Sequence, residues 1–161
     1  MIKFSLTKKR FGIASLHIKD SVALHQIHQH CFTPAWEKRT FDTFLTDHSI
    51  FGYKVFFINQ SDQILGFCLC RLILDEAEII TIAVHPHYRQ QGIATLLIDH
   101  TIRYLHDKRA IKLFLEVEST NLSALTLYQR FEFQKISERL AYYSSKNGRG
   151  DAIIMQKLLS K

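Results

Sequence analysis

Residues 79–97, IITIAVHPHYRQQGIATLL, constrain the fold more than any other stretch of this 161-residue chain. Ile79 to Val84 is an apolar run broken only by Thr81, the pattern of a strand covered on both faces. His85-Pro86 ends it, because proline lacks the ladder donor and keeps the residue before it out of helix. Arg89-Gln90-Gln91-Gly92-Ile93-Ala94 then leads into a helix whose inner face would carry Ile93, Leu97, Thr101 and Leu105. Gly92 and Ala94 are small where the chain enters that helix, so an anion can approach the free amides of the first turn. Such a pattern is either an ordinary helix start or an anion cradle. Two familiar phosphate cradles are absent, since the chain has neither G-x-G-x-x-G nor G-K-[ST].

The remaining segments supply neighbours for that strand. Residues 11–17 predict a first strand, after the basic lead-in Lys8-Lys9-Arg10. Asp20 or Ser21 caps a helix running to about His30, with Val22, Leu24 and Ile27 facing the core. Thr33-Pro34-Ala35-Trp36 breaks the chain before a second helix, 37–47. Residues 51–58 and 63–72 form a hairpin around 59–62, and Asp75-Glu76 turns the chain into the central strand. A helix over 92–108 crosses to a parallel strand, 112–118, whose Leu113, Leu115 and Val117 share one face. Asn121 opens a further helix ending near Phe131. Strands over 133–143 and 151–159, joined by the turn-rich 144–150, close the chain. The expected architecture is one α/β domain over 1–161, a mixed central sheet with helices on both faces.

Composition narrows the class of protein. Hydrophobic residues are 47% and charged residues 22%, ordinary for a folded chain, and no apolar run approaches the ~20 residues of a membrane span. The basic N-terminus has no long apolar core and so does not read as a secretory signal. Cys31, Cys68 and Cys70 form no disulfide or zinc pattern, which points to reduced thiols in the cytoplasm. The net charge of +6 reads either as weak attraction to nucleic acid or other phosphates, or as a solvated basic surface. His25, His28, His30 and Cys31 crowd one helix end. Lacking a carboxylate or second Cys at ligand spacing, they suit a helix C-terminus better than a metal.

The chemistry is expected where the parallel strands 79–84 and 112–118 end side by side. Glu116 lies on the strand face opposite the aliphatic one, and is either a functional carboxylate or a glutamate paired with Lys or Arg. Tyr128 follows Asn121 by two helical turns on the same face, and is either a reacting phenol or a core aromatic.

Arg89-x-x-Gly92-x-Ala94, after a strand ending Ile82-Ala83-Val84-His85-Pro86, resembles the acetyl-CoA motif of the GNAT N-acetyltransferases. In that family the strand before the motif splays from its neighbour. Its backbone holds the pantetheine arm and thioester, and the helix N-terminus takes the pyrophosphate. The resemblance implies the GNAT fold with a splayed parallel pair, and acetyl-CoA contacts at Ile82, Ala83, Val84, Arg89, Gln90, Gln91, Gly92, Ile93, Ala94, Thr95 and Asn121. Leu115-Glu116-Val117, Ser119-Thr120-Asn121, Ala124-Leu125 and Leu127-Tyr128 are similar to the RimI-type ribosomal-protein alanine acetyltransferases within that family. So are Arg139, Tyr142-Tyr143, the run Gly148 to Met155, and the segment Cys31 to Phe41.

This likeness implies Glu116 as proton acceptor, Tyr128 as proton donor, no metal, and direct attack on acetyl-CoA by a protein N-terminus. The family precedent is the N-terminal alanine of a small-subunit ribosomal protein, held here by residues 32–41 and 142–150. The chain departs from the family at three places. Phe32-Thr33-Pro34-Ala35-Trp36 replaces a shorter Phe-Pro-Trp, His85 and His87 replace acidic residues, and Glu132 stands where Gly is usual before Phe133. The alternatives are a GNAT enzyme for a Lys side chain or small amine, and a non-catalytic CoA- or ribosome-binding protein.

Overall fold

The structure is a computed structural model that describes residues 10–145 and 148–159, the side chains of 141–149 excepted. In chain order the elements are β1 (Phe11–Ser15), α1 (Ser21–Cys31), α2 (Lys38–Thr46), β2 (Ile50–Phe57), β3 (Gln60–Ile73) and β4 (Glu76–Val84). They continue with α3 (Ile93–Asp107), β5 (Lys112–Glu118), α4 (Leu122–Arg130), β6 (Gln134–Ser145) and β7 (Gly148–Leu158). The seven strands form one sheet in the order β1-β2-β3-β4-β5-β7-β6. Only the central β4–β5 pair is parallel.

Period-two alternation distributes the side chains to two cores. Val55, Cys68, Ile79, Leu113, Leu115 and Met155 face α3, which contributes Ile93, Leu97, Ile98 and Leu105. Tyr128 of α4 and Phe133 join the same cluster. On the other face Phe67 and Ala83 meet Leu24 and Ile27 of α1 and Phe41 of α2. Helices therefore lie on both faces, as the sequence pattern predicts. Among the described residues no helix is long and apolar enough to cross a membrane, and all three cysteines are free.

Several boundaries move. The turn expected at 59–62 is only Ile58-Asn59, because Phe57 pairs with Gln60 and bulges absorb the extra residues of β3. Ile73 pairs with Glu76, so the next turn is Leu74-Asp75, one residue earlier than read from the sequence. β6 and β7 run closer to their connection than expected. The lead-in residues Lys8 and Lys9, and the side chains of the turn-rich 144–149, lie outside the described residues.

The histidine cluster has a local structural explanation. The Trp36 amide donates to His28 Nδ1 at 3.1 Å, and His25 Nδ1 lies 2.8 Å from the Trp36 carbonyl. The His28 ring stacks on Phe32 and Trp36. It is 2% exposed, and burial, with a contribution from His25, lowers its pKa to about 4. These histidines fasten the α1–α2 loop. Among the described residues no group of three or more His, Cys, Asp and Glu could hold a metal.

Candidate active site

The parallel ladder between β4 and β5 is short. It runs from Glu76 opposite Lys112 to Ile79 opposite Leu115 and stops there. Both strands continue, β4 to Val84 and β5 to Glu118, each still paired on its outer side. Val84 remains opposite Gly66 of β3, and Glu116 opposite Ile154 of β7. The two strands therefore splay, and a gap opens at the C-terminal end of the parallel pair.

Backbone polarity in the gap follows from the register. His85 donates its amide to the Leu65 carbonyl at 2.8 Å, so Val84 and Gly66 form a non-hydrogen-bonded pair. Ala83 turns its own N–H and C=O toward β3, while Ile82 and Val84 direct theirs toward the gap. Arg89 Nε donates to the Val84 carbonyl at 3.2 Å, and Cys31 Sγ lies 3.4 Å from the same oxygen. The Val84 N–H points into the gap with no strand opposite it.

Beyond β4 a short 3-10 turn, Pro86–Tyr88, leads to the start of α3. Gln90 (φ 60°) and Gly92 (φ 82°) are both left-handed, and Gly92 is the N-cap of α3. A Cβ on Gly92 would meet nothing within 4 Å, so the glycine is required by its backbone angle and the space before the helix is open. The first intrahelical bond is Leu96 N–H to Gly92 C=O at 3.0 Å. The Ile93, Ala94 and Thr95 amides are thus unpaired within the helix and face an approachable space. This suits a pyrophosphate group. Arg89 is turned elsewhere: Nη2 lies 3.4 Å from Cys31 Sγ, so its side chain ties the end of β4 to α1.

Glu116 and Tyr128 sit on opposite sides of the sheet. Glu116 projects to the face that α1 and α2 leave uncovered, at one end of a cavity of about 500 Å³ that runs along the paired rows of β4 and β5 to the Leu74-Asp75 turn and is lined also by Arg71, Glu78, Phe114, Arg139 and Ile154. Its Oε1 pairs with Arg139 Nη1 at 3.3 Å. Tyr128 is 5% exposed in the α3-side core, its ring 5.7 Å from that of Phe133. Asn121 Oδ1 accepts from the Ala124 amide at 3.2 Å, which makes Asn121 the N-cap of α4. Arg139 was visible in the sequence only as part of the tail pattern. Its proximity to Glu116 depends on β7 lying between β5 and β6, which no local spacing reveals.

Splayed parallel strands followed by a helix start with unpaired amides are the arrangement that the sequence resemblance implies for binding acetyl-CoA. Residues 21–133 match the acetyltransferase (GNAT) family, and the chain belongs to that family. It is an acetyl-CoA-dependent N-acetyltransferase. The ribosomal protein bS18-alanine N-acetyltransferase of Escherichia coli K12 is 34% identical over 143 residues, covering 89% of this chain and 94% of that protein. The enzyme of the same description from Haemophilus influenzae is 32% identical over 144 residues, covering 89% and 95%. The crystal structure of the Escherichia coli ribosomal-protein-S18-alanine N-acetyltransferase superposes with a TM-score of 0.87 at 32% identity, over 94% of this chain and 96% of that one.

Proposed function

We propose that the protein acetylates the N-terminal α-amine of a protein in the cytoplasm, and that its acceptor is a ribosomal protein beginning with alanine. One observation carries the reading: Glu116 is the first residue of β5 past the last parallel row, Ile79 opposite Leu115, so a carboxylate stands where the two strands part. The relatives are described as ribosomal-protein-S18-alanine N-acetyltransferases, which supports a ribosomal protein beginning with alanine as the acceptor.

The acid–base chemistry fits an α-amine. Its reference pKa near ~7.7–8.0, against ~10.4 for Lys, leaves about a tenth of α-amines neutral at pH 7 but fewer than about one Lys in a thousand. A single carboxylate base suffices for the first case. Glu116 takes the amine's proton, directly or through a water. The Val84 N–H donates to the thioester oxygen as it gains charge. The unpaired amides of Ile93, Ala94 and Thr95 hold the pyrophosphate, with Gln90, Gln91 and Gly92 shaping the approach. Tyr128, on the other side of the gap, protonates the departing thiolate. With a thiol near ~8.5 and a phenol near ~10 that transfer is uphill, so it depends on close positioning. The amine attacks directly in a ternary complex, and no acyl group is carried on the enzyme.

The test is acetyl transfer to two peptides, one with a free N-terminal Ala and one with a blocked N-terminus and an internal Lys, the product mapped by mass spectrometry. Transfer to the first alone is expected. Transfer to the Lys peptide alone would replace this reading with a side-chain acetyltransferase.

A further inference from the structure

We propose that Arg139 is a positioning residue for Glu116: it holds one oxygen of the carboxylate so that the other is presented to the incoming amine. The inference rests on the assignment of Glu116 as the base. Arg139 lies on β6, two strands from Glu116, opposite Ala152 of β7, while Glu116 is opposite Ile154. Its guanidinium therefore crosses β7 to reach Glu116, and both side chains line the same cavity with Ile154 between them.

The geometry is one-sided. Arg139 Nη1 meets Glu116 Oε1 at 3.3 Å, so the ion pair engages one of the two carboxylate oxygens. Charge-assisted N–H···O contacts are commonly ~2.7–2.9 Å, so this longer, single contact orients the carboxylate without occupying both oxygens. A glutamate on an open sheet face has three free torsions and would otherwise sample several rotamers. Its side chain is 26% exposed here, so solvent reaches it and would not by itself select one.

The strand carrying Arg139 is shaped around this point. Arg139 is opposite Ala152, but the next recorded row is Tyr143 opposite Gly150, so four steps on β6 match two on β7. The irregularity starts directly after Arg139, where a bulge bends the strand and re-aims its side chains. Arg139 is thus the last of three consecutive rows in register, Ser137 to Arg139, between two shifts of the β6–β7 ladder.

The experiment compares Arg139→Gln, Arg139→Lys, Glu116→Gln and the double variant Glu116→Gln/Arg139→Gln, measuring kcat and both KM values on the Ala-initiated peptide. Arg139→Gln should lower kcat about tenfold, with the acetyl-CoA KM unchanged within about twofold, and Arg139→Lys should recover part of the loss. In the Glu116→Gln background the same change should cost less than about twofold. Equal kcat in Arg139→Gln, or the same fold-loss in both backgrounds, would overturn the inference. Full activity of Glu116→Gln would instead overturn the base assignment itself. Thermal unfolding of the Lys variant separates a positioning effect from loss of fold.

Discussion

Ile79 and Leu115 are the last pair of residues that hold β4 to β5. Past them β4 pairs with β3 and no longer with β5, and its last row is Val84 opposite Gly66. The width of the gap therefore depends on how closely β3 lets β4 approach.

Gly66→Ala tests that dependence. A Cβ on Gly66 would lie 2.9 Å from the Ala83 carbonyl oxygen, 3.0 Å from Ile93 Cγ2 and 3.2 Å from Val84 Cγ2. Backbone at the end of β4 and the first residue of α3 would have to shift, at a cost of about 1–3 kcal/mol. Both stability and acetyl-CoA affinity should fall, the KM rising several-fold. An unchanged KM in a destabilised variant would show that this row does not set the cofactor site.

Tyr128→Phe keeps the ring that packs on Phe133 and removes the phenol. Turnover is expected to fall about 10²-fold, the acetyl-CoA KM to stay nearly constant, and stability to change by less than about 1.5 kcal/mol. Wild-type turnover would leave Tyr128 as a core aromatic with no chemical role.

His28 makes stability pH-dependent. Its imidazole stays neutral in the folded chain down to about pH 4, whereas the unfolded chain takes up the proton near the ordinary histidine value of 6.5. The folded state is therefore at its full stability above pH 6.5, loses it as pH falls through 6.5, and stops losing it below about 4. The whole effect is about 3 kcal/mol. Denaturant unfolding at pH 7 and pH 4.5 should show a smaller acid-induced loss in His28→Asn than in the wild type. Equal losses would assign the effect to other groups.

Much of this molecule is legible in its sequence where the signal is local. Lys112–Glu118 has the same limits in both readings, because Leu113, Leu115 and Val117 alternate without interruption. The strand–turn–helix around Gly92 is equally clear. The shift of the β2–β3 turn was hidden by bulges, which leave no mark on an alternating pattern. Arg89 was expected among the acetyl-CoA contacts, and its engagement with Val84 and Cys31 depends on α1 packing over the end of β4.

Glu132 was the one local conflict the sequence announced, and the structure bears it out. It adopts φ 65°, a left-handed angle that costs a residue with a Cβ about 1 kcal/mol. Its carboxylate meets Lys157 Nζ at 3.3 Å, and an 86%-exposed carboxylate gains little from such a pair. Glu132→Gly should raise the unfolding free energy by about 1 kcal/mol and leave kcat unchanged. A lower denaturation midpoint in that variant would mean the ion pair outweighs the backbone strain.

The splayed sheet also divides the chain's labour. On the assignment proposed here, the grip on acetyl-CoA is encoded almost entirely in one continuous stretch, residues 82–95, at the edge of one half-sheet. The base and its orienting arginine belong to the other half, on strands joined to the first by four rows. Such a protein can acquire a new acceptor by altering residues 32–41 and 142–150 while the donor grip stays as it is. The acceptor preference of this scaffold is separable from its cofactor, and an engineer could exchange the former alone.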